Sequence, residues 1–233
     1  MKIDYCLMGS TSDPFYFDFW PSVSKVWKQV FNITPVLGLI CDEDSDLIED
    51  KYGLVKKFKK SQFSDPGTQS QVVRLYLSKF LEGNCIISDI DMIPLSKKYF
   101  IDDLAPYSDD DIIVMSSHHP QTVHINQYPM CYVAGHSNIF NKIFNTNLTW
   151  DEFTFSTSLN GWYSDQVFLY ESIRKFGVNK VKFPYRSFQN DRIDRVSWVY
   201  NENWVKEGRY VDSHLLRPYN SNKNLIDHLI SLL

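Results

Sequence analysis

Short apolar runs alternate along this chain with longer stretches whose apolar residues recur at helical spacing. Ile3 to Met8, Val36 to Cys41, Cys85 to Ile87, Ile112 to Met115, Met130 to Ala134 and Val181 to Phe183 read as strands. Their apolar character is nearly continuous, which predicts cover on both faces of a sheet. Pro21 opens a helix in which Val23, Val26, Trp27, Val30 and Phe31 share one face. A second helix spans 68–81, entered by the turn Asp65-Pro66-Gly67, with Val72, Val73, Tyr76, Leu77, Phe80 and Leu81 on one side. Leu169, Ile173 and Phe176 mark a third, and Leu225, Ile226, Leu229 and Ile230 a terminal one. This alternation predicts an α/β fold with a mixed central sheet flanked by helices.

The chain of 233 residues suffices for one substantial core, and the reading is one domain over 1–220 with the helix 221–233 packed on it. A net charge of -4 argues against nucleic acid as the main partner. No stretch approaches the ~18 apolar residues that span a bilayer. The apolar run at the start is short and carries Lys2 and Asp4, unlike a signal peptide. A cytoplasmic protein is expected. Cys6, Cys41, Cys85 and Cys131 lack paired spacing and are expected as reduced core thiols.

The candidate chemistry centres on Asn84 to Leu95, where an apolar strand runs into Asp89-Ile90-Asp91. In extended chain the two carboxylates point to one side and Ile90 and Met92 to the other. Two like charges so close each raise the other's pKa, and a hard cation, Mn2+ or Mg2+, relieves the repulsion while sharing substrate phosphate oxygens. A solvated turn is the plain alternative. Gly9 to Ser12 reads as a turn whose backbone N–H groups, at Ser10 and Thr11, face a ligand at the carboxyl edge of the sheet. Asp42 follows the second strand, placed for a base or ribose, while a solvated loop is the plainer role for the acidic cluster Asp42-Glu43-Asp44. Arg74 lies on the polar side of its helix, suited to a phosphate or to a surface ion pair. Asp165 follows Trp162 and Tyr163, rings able to stack on a sugar, and equally suits a first-turn helix acid. Of the neighbours His118 and His119 at most one can join a site, because adjacent strand residues face opposite ways. The stretch 186–209 is polar, aromatic and weakly periodic, and reads as a lid or binding loop in which Arg192 and Arg195 can clamp phosphates on closure or simply be solvated.

The strand-helix alternation, the Asp-x-Asp, Ser164-Asp165-Gln166 at a helix start and the late His214 with Arg217-Pro218-Tyr219 together resemble a small glycosyltransferase of the GT-A, Rossmann-like fold. The pattern is similar to glycogenin-type and related galactosyl- or xylosyltransferases and covers residues 2 to about 220. The resemblance implies metal-dependent transfer of a sugar from a nucleotide-diphosphate sugar, a UDP-sugar foremost, to a hydroxyl of a glycan or glycoconjugate acceptor. It implies Mn2+ (or Mg2+) on Asp89, Asp91 and His214, a donor on Ser10, Thr11, Asp42, Arg74 and Arg217, an acceptor on Trp162 and Tyr163, and Asp165 as the catalytic carboxylate. The chain departs from the family's H-x-x-G-x-x-K-P-W: only Leu215 and Leu216 separate His214 from Arg217, glycine is absent, and Tyr219 replaces Trp. A nucleotidyltransferase is the rival enzyme, although Gly9 to Asp13 lacks the Lys or Arg of its phosphate loop. A non-catalytic carbohydrate-binding protein would need neither metal nor nucleotide.

Overall fold

A computed structural model of the chain describes residues 1–116, 126–157, 161–177, 181–187 and 190–233. His118 and His119 lie outside the described residues. The strands are β1 (Tyr5–Thr11), β2 (Thr34–Cys41), β3 (Ile48–Glu49), β4 (Leu54–Lys59), β5 (Asn84–Ile87), β6 (Met92–Pro94), β7 (Ile112–Val114), β8 (Val133–His136), β9 (Val181–Lys182), β10 (Arg192–Ile193) and β11 (Asp212–His214). The helices are α1 (Pro14–Phe17), α2 (Trp20–Lys25), α3 (Pro66–Tyr76), α4 (Ser137–Phe144), α5 (Trp150–Thr157), α6 (Ser164–Phe176), α7 (Glu202–Lys206) and α8 (Tyr219–Ser231).

The main sheet has the order β3-β4-β2-β1-β5-β8-β7-β9. Its centre, β4-β2-β1-β5, is parallel, while β8 runs antiparallel to β5 and β7 antiparallel to β8. Alternate residues of each strand feed two cores. On β1, Met8 joins Trp27, Phe100 and Tyr132 on one face, and Leu7 joins Val73, Phe140 and Leu169 on the other. The mixed sheet with helices on both sides is the expected architecture. From β1 the chain goes to β2 and β4 on one side and then, through α3, crosses back to β5 on the other side of β1, so the carboxyl ends of β1 and β5 form a switch point, where open α/β sheets bind ligands.

Several local expectations are corrected. Gly9 and Ser10 belong to β1 and not to a turn. Gly9 pairs with Gly38 of β2, and a Cβ on Gly9 would fall 2.0 Å from the Ser70 carbonyl oxygen, while one on Gly38 would strike Val73. The two glycines let α3 settle directly onto the sheet. Residues 137–144 form a helix that the sequence reading did not mark, capped by His136 Nδ1 accepting from Asn138 N at 3.2 Å. The stretch 186–209 is not a structureless lid. It contains β10 and α7, elements too short to leave a periodic signal. Of the four free thiols Cys6 and Cys85 are buried, but Cys41 and Cys131 only half so.

A second, three-stranded sheet, β10-β11-β6, stands beside the first. Antiparallel pairing sets His214 opposite Met92 and Asp212 opposite Pro94. Its strands pack with the core that includes Trp27, and α8 buries Ile226 and Leu229 there. Because β6 begins one residue after Asp91, this small sheet carries the C-terminal part of the chain to the Asp-x-Asp.

Candidate active site

Asp89 and Asp91 lie in the turn between β5, which belongs to the main sheet, and β6, which belongs to the small one. Met92 N donates to Asp89 O at 3.3 Å across that turn, so the extended conformation read from the sequence is corrected. Both carboxylates still line one cleft of about 240 Å3, together with Ser10, Arg74, Asp165, Arg195, His214 and Arg217.

Arg74 holds one side of the cleft. Placed by the close approach of α3, it is buried, contrary to the polar-face expectation. Its Nη1 donates to Asp89 Oδ1, its Nη2 to Asp165 Oδ2 at 2.6 Å, and its Nε to Gln71 O at 3.0 Å. Burial alone would disfavour the charge of Arg74, yet Asp89 and then Asp165 more than restore it. Burial lifts the Asp165 carboxyl above its usual pKa, with Arg74 pulling it back.

The other side belongs to Asp91, which is 3 % exposed. Its Oδ2 accepts from Arg195 Nη1 at 2.9 Å and from Arg217 Nε at 2.8 Å and Nη2, and lies 3.2 Å from His214 Nε2. Arg217 also rests over the Tyr16 ring, 4.6 Å from its centroid, with Nη1 3.3 Å from the Tyr16 hydroxyl. Burial would raise the Asp91 pKa, but His214 and then Arg217 hold it well below the usual carboxylate range. A backbone bond from Leu215 N to Asp91 O at 2.9 Å fixes this meeting of residues more than a hundred positions apart.

The donor set can be tested against a divalent ion. Neighbouring donors around an octahedral ion with bonds of about 2.1 Å stand about 3 Å apart, and the Asp91 carboxylate and His214 imidazole lie 3.2 Å apart. Carboxylate with imidazole is chemistry that manganese accepts. Among the described residues no three acidic, imidazole or thiol groups already converge on one point, and guanidinium groups occupy both Asp89 and Asp91. The residues fit an ion that takes the place of guanidinium at Asp91.

The chain matches no protein-family model and no curated protein. Solved structures resemble it in shape. The glycosyltransferase GlyE of Streptococcus pneumoniae superposes with a TM-score of 0.52 at 11% identity, over 99% of this chain and 63% of that one. This chain shares its fold. The chain therefore spans somewhat under two thirds of GlyE, whose remaining length has no counterpart here. The galactosyltransferase LgtC, solved with donor and acceptor sugar analogues, gives 0.48 at 11% identity over 100% of this chain and 96% of its own. A Drosophila β-1,4-galactosyltransferase 7 mutant, in complex with manganese, UDP-Gal and xylobiose, gives 0.48 at 12% identity over 95% and 74%. At such scores the last two add nothing beyond GlyE.

On this fold the sequence-derived residues divide. Asp89, Asp91, His214, Ser10, Arg74, Arg217, Asp165 and Trp162 line one cleft. Thr11 instead borders an adjoining hollow with Asp13, Tyr16 and Lys60. Asp42 is exposed and pairs with Lys60 at 2.8 Å, so it touches that hollow only through the lysine. Tyr163 is exposed and lies outside the cleft lining, while Trp162 is exposed at its rim. Tyr16 and Gln71 line the cleft without having been singled out. Tyr16 sits in a four-residue helix that has no periodicity to read.

Proposed function

We propose that the chain is a cytoplasmic glycosyltransferase. It moves a sugar from a nucleoside-diphosphate sugar, a UDP-sugar foremost, to a hydroxyl of a glycan acceptor, with Mn2+ or Mg2+ at Asp89, Asp91 and His214. The observation that carries this reading is the juxtaposition of His214 with Asp91 at 3.2 Å, at the switch point of a glycosyltransferase-like fold. Among the described residues no helix is long and apolar enough to cross a membrane.

A cation there would supply Lewis-acid neutralisation of the leaving diphosphate. Arg217, held on Asp91 and steadied on Tyr16, brings its positive charge to the phosphate side of the cleft. Arg74 keeps Asp89 and Asp165 in fixed relation, so the donor side and the acceptor side of the cleft move as one. Asp165 receives the acceptor proton if configuration inverts and holds the donor sugar if it is retained. Trp162 offers a ring face to the incoming sugar. Titration calorimetry with UDP, GDP and dTDP, each with and without Mn2+, tests the reading. One nucleotide binding only with metal is expected. Binding of none would turn the assignment to a carbohydrate-binding protein.

A further inference from the structure

We propose that Arg195 is a diphosphate clamp stored on Asp91, which a divalent cation releases when it takes that carboxylate; the inference rests on the donor-site reading above. A carboxylate oxygen offers about two lone-pair directions, yet Asp91 Oδ2 meets N–H donors of Arg195 and Arg217 and the ring nitrogen of His214. A cation cannot reach this oxygen while every guanidinium stays. Arg217 has two nitrogens on Asp91 and a second seat on Tyr16. Arg195 holds it through Nη1, and no other hydrogen bond of its guanidinium occurs among the described residues. Arg195 is the one to leave.

Its backbone is well anchored. β10 pairs with β11, Arg192 grips Asp212 through two nitrogens, and Asp194 ties the turn by accepting from Val196 N at 2.9 Å and Trp198 N at 2.8 Å. The freedom therefore lies in the side chain, which is 29 % exposed on the cleft. Charge sets the direction of the swing. Arg74, Arg195 and Arg217 face Asp89, Asp91 and Asp165 in the cleft, three cations against three carboxylates. A divalent cation alone leaves the site positive and a diphosphate alone leaves it negative. Entering together they restore the balance, and the freed guanidinium finds phosphate oxygens shaped for its fork. Arg195 competes with the metal and cooperates with the diphosphate.

These opposite roles give a paired test on the whole protein: Mn2+ binding in the absence of nucleotide, read by electron paramagnetic resonance, and UDP binding at saturating Mn2+, read by calorimetry. In Arg195→Gln the competitor is gone, so Mn2+ alone binds more tightly, by about 3- to 10-fold if the open carboxylate is a minor state of the wild type. UDP with Mn2+ binds about 10-fold more weakly, the loss of a charge-assisted contact. Arg195→Lys falls between in both. A merely structural arginine would weaken both together, and that result, or no change in either, overturns the proposal while leaving the donor site standing. A wild-type protein that binds neither Mn2+ nor UDP overturns the donor-site reading and this inference with it.

Discussion

Two buried aspartates, Asp212 within the small sheet and Asp91 just ahead of its strand β6, are each gripped by two arginines, and they differ in access to the cleft. Asp212 faces Arg186 and Arg192, of which 2 % and 16 % is exposed. Asp91 faces Arg195 and Arg217, of which 29 % and 23 % is exposed, and these open onto the cleft. At Asp212 the charges complete one another: Arg186 Nη1 and Nη2 donate at 2.8 and 3.1 Å, Arg192 Nε and Nη2 at 2.7 and 2.9 Å. At Asp91 most of the donors crowd one oxygen. A buried ion pair that is fully satisfied is a structural brace, whereas a crowded one beside a cavity has groups to spare for a ligand. The same residue types thus do different work, decided by access to the cleft.

The largest effect expected from this contrast is on stability. Asp212→Asn strands two arginines with little water to replace the lost charge, and unfolding in urea should show a loss of about 3–5 kcal/mol. A loss below ~1 kcal/mol would break the comparison. Next comes Asp91→Asn, in which the arginines rehydrate from the cleft, so the same measurement should register less than about 1.5 kcal/mol. The sugar transfer proposed above should nevertheless fall by ~10²–10³-fold, the scale of one lost electrostatic partner of a transition state. Transfer assays at wild-type rates in this variant would remove Asp91 from the site.

The smallest effect is a pH dependence. Burial raises the Asp212 pKa, but Arg192 and then Arg186 outweigh it and hold the carboxyl below its ordinary value. A depressed folded pKa contributes stability in full above the unfolded value of about 3.9 and loses it as pH falls through the folded one. The stability gap between wild type and Asp212→Asn should thus be constant from pH 7 to about 4 and narrow below it. Urea titrations at pH 7, 4 and 2.5 read it directly. A gap that stays flat down to pH 2.5, or widens as the pH falls, would mean that the carboxyl is not held down by its arginines.

The same contrast explains what the sequence disclosed. β1, β2 and β5 and helices α3, α6 and α8 are legible because apolar runs and 3.6-residue spacing record burial locally. Asp89 and Asp91 stand out because they interrupt such a run. Arg74 was misplaced on an exposed face, since its burial depends on Gly9 and Gly38 admitting α3 to the sheet. That is a property of three segments at once. The Asp91 cluster was legible only through the likeness of His214 and Arg217 to a known pattern. β6, β10 and β11 are two or three residues long, too short for any period, and their pairing is a matter of long-range register.

That pairing also has a meaning in time. His214 meets Asp91 across 123 positions of chain, and contacts so distant in sequence close late, after local helices and neighbouring strands have formed. During synthesis the growing polypeptide carries its two aspartates through the whole making of β7, β8 and α6 with none of the late cations beside them.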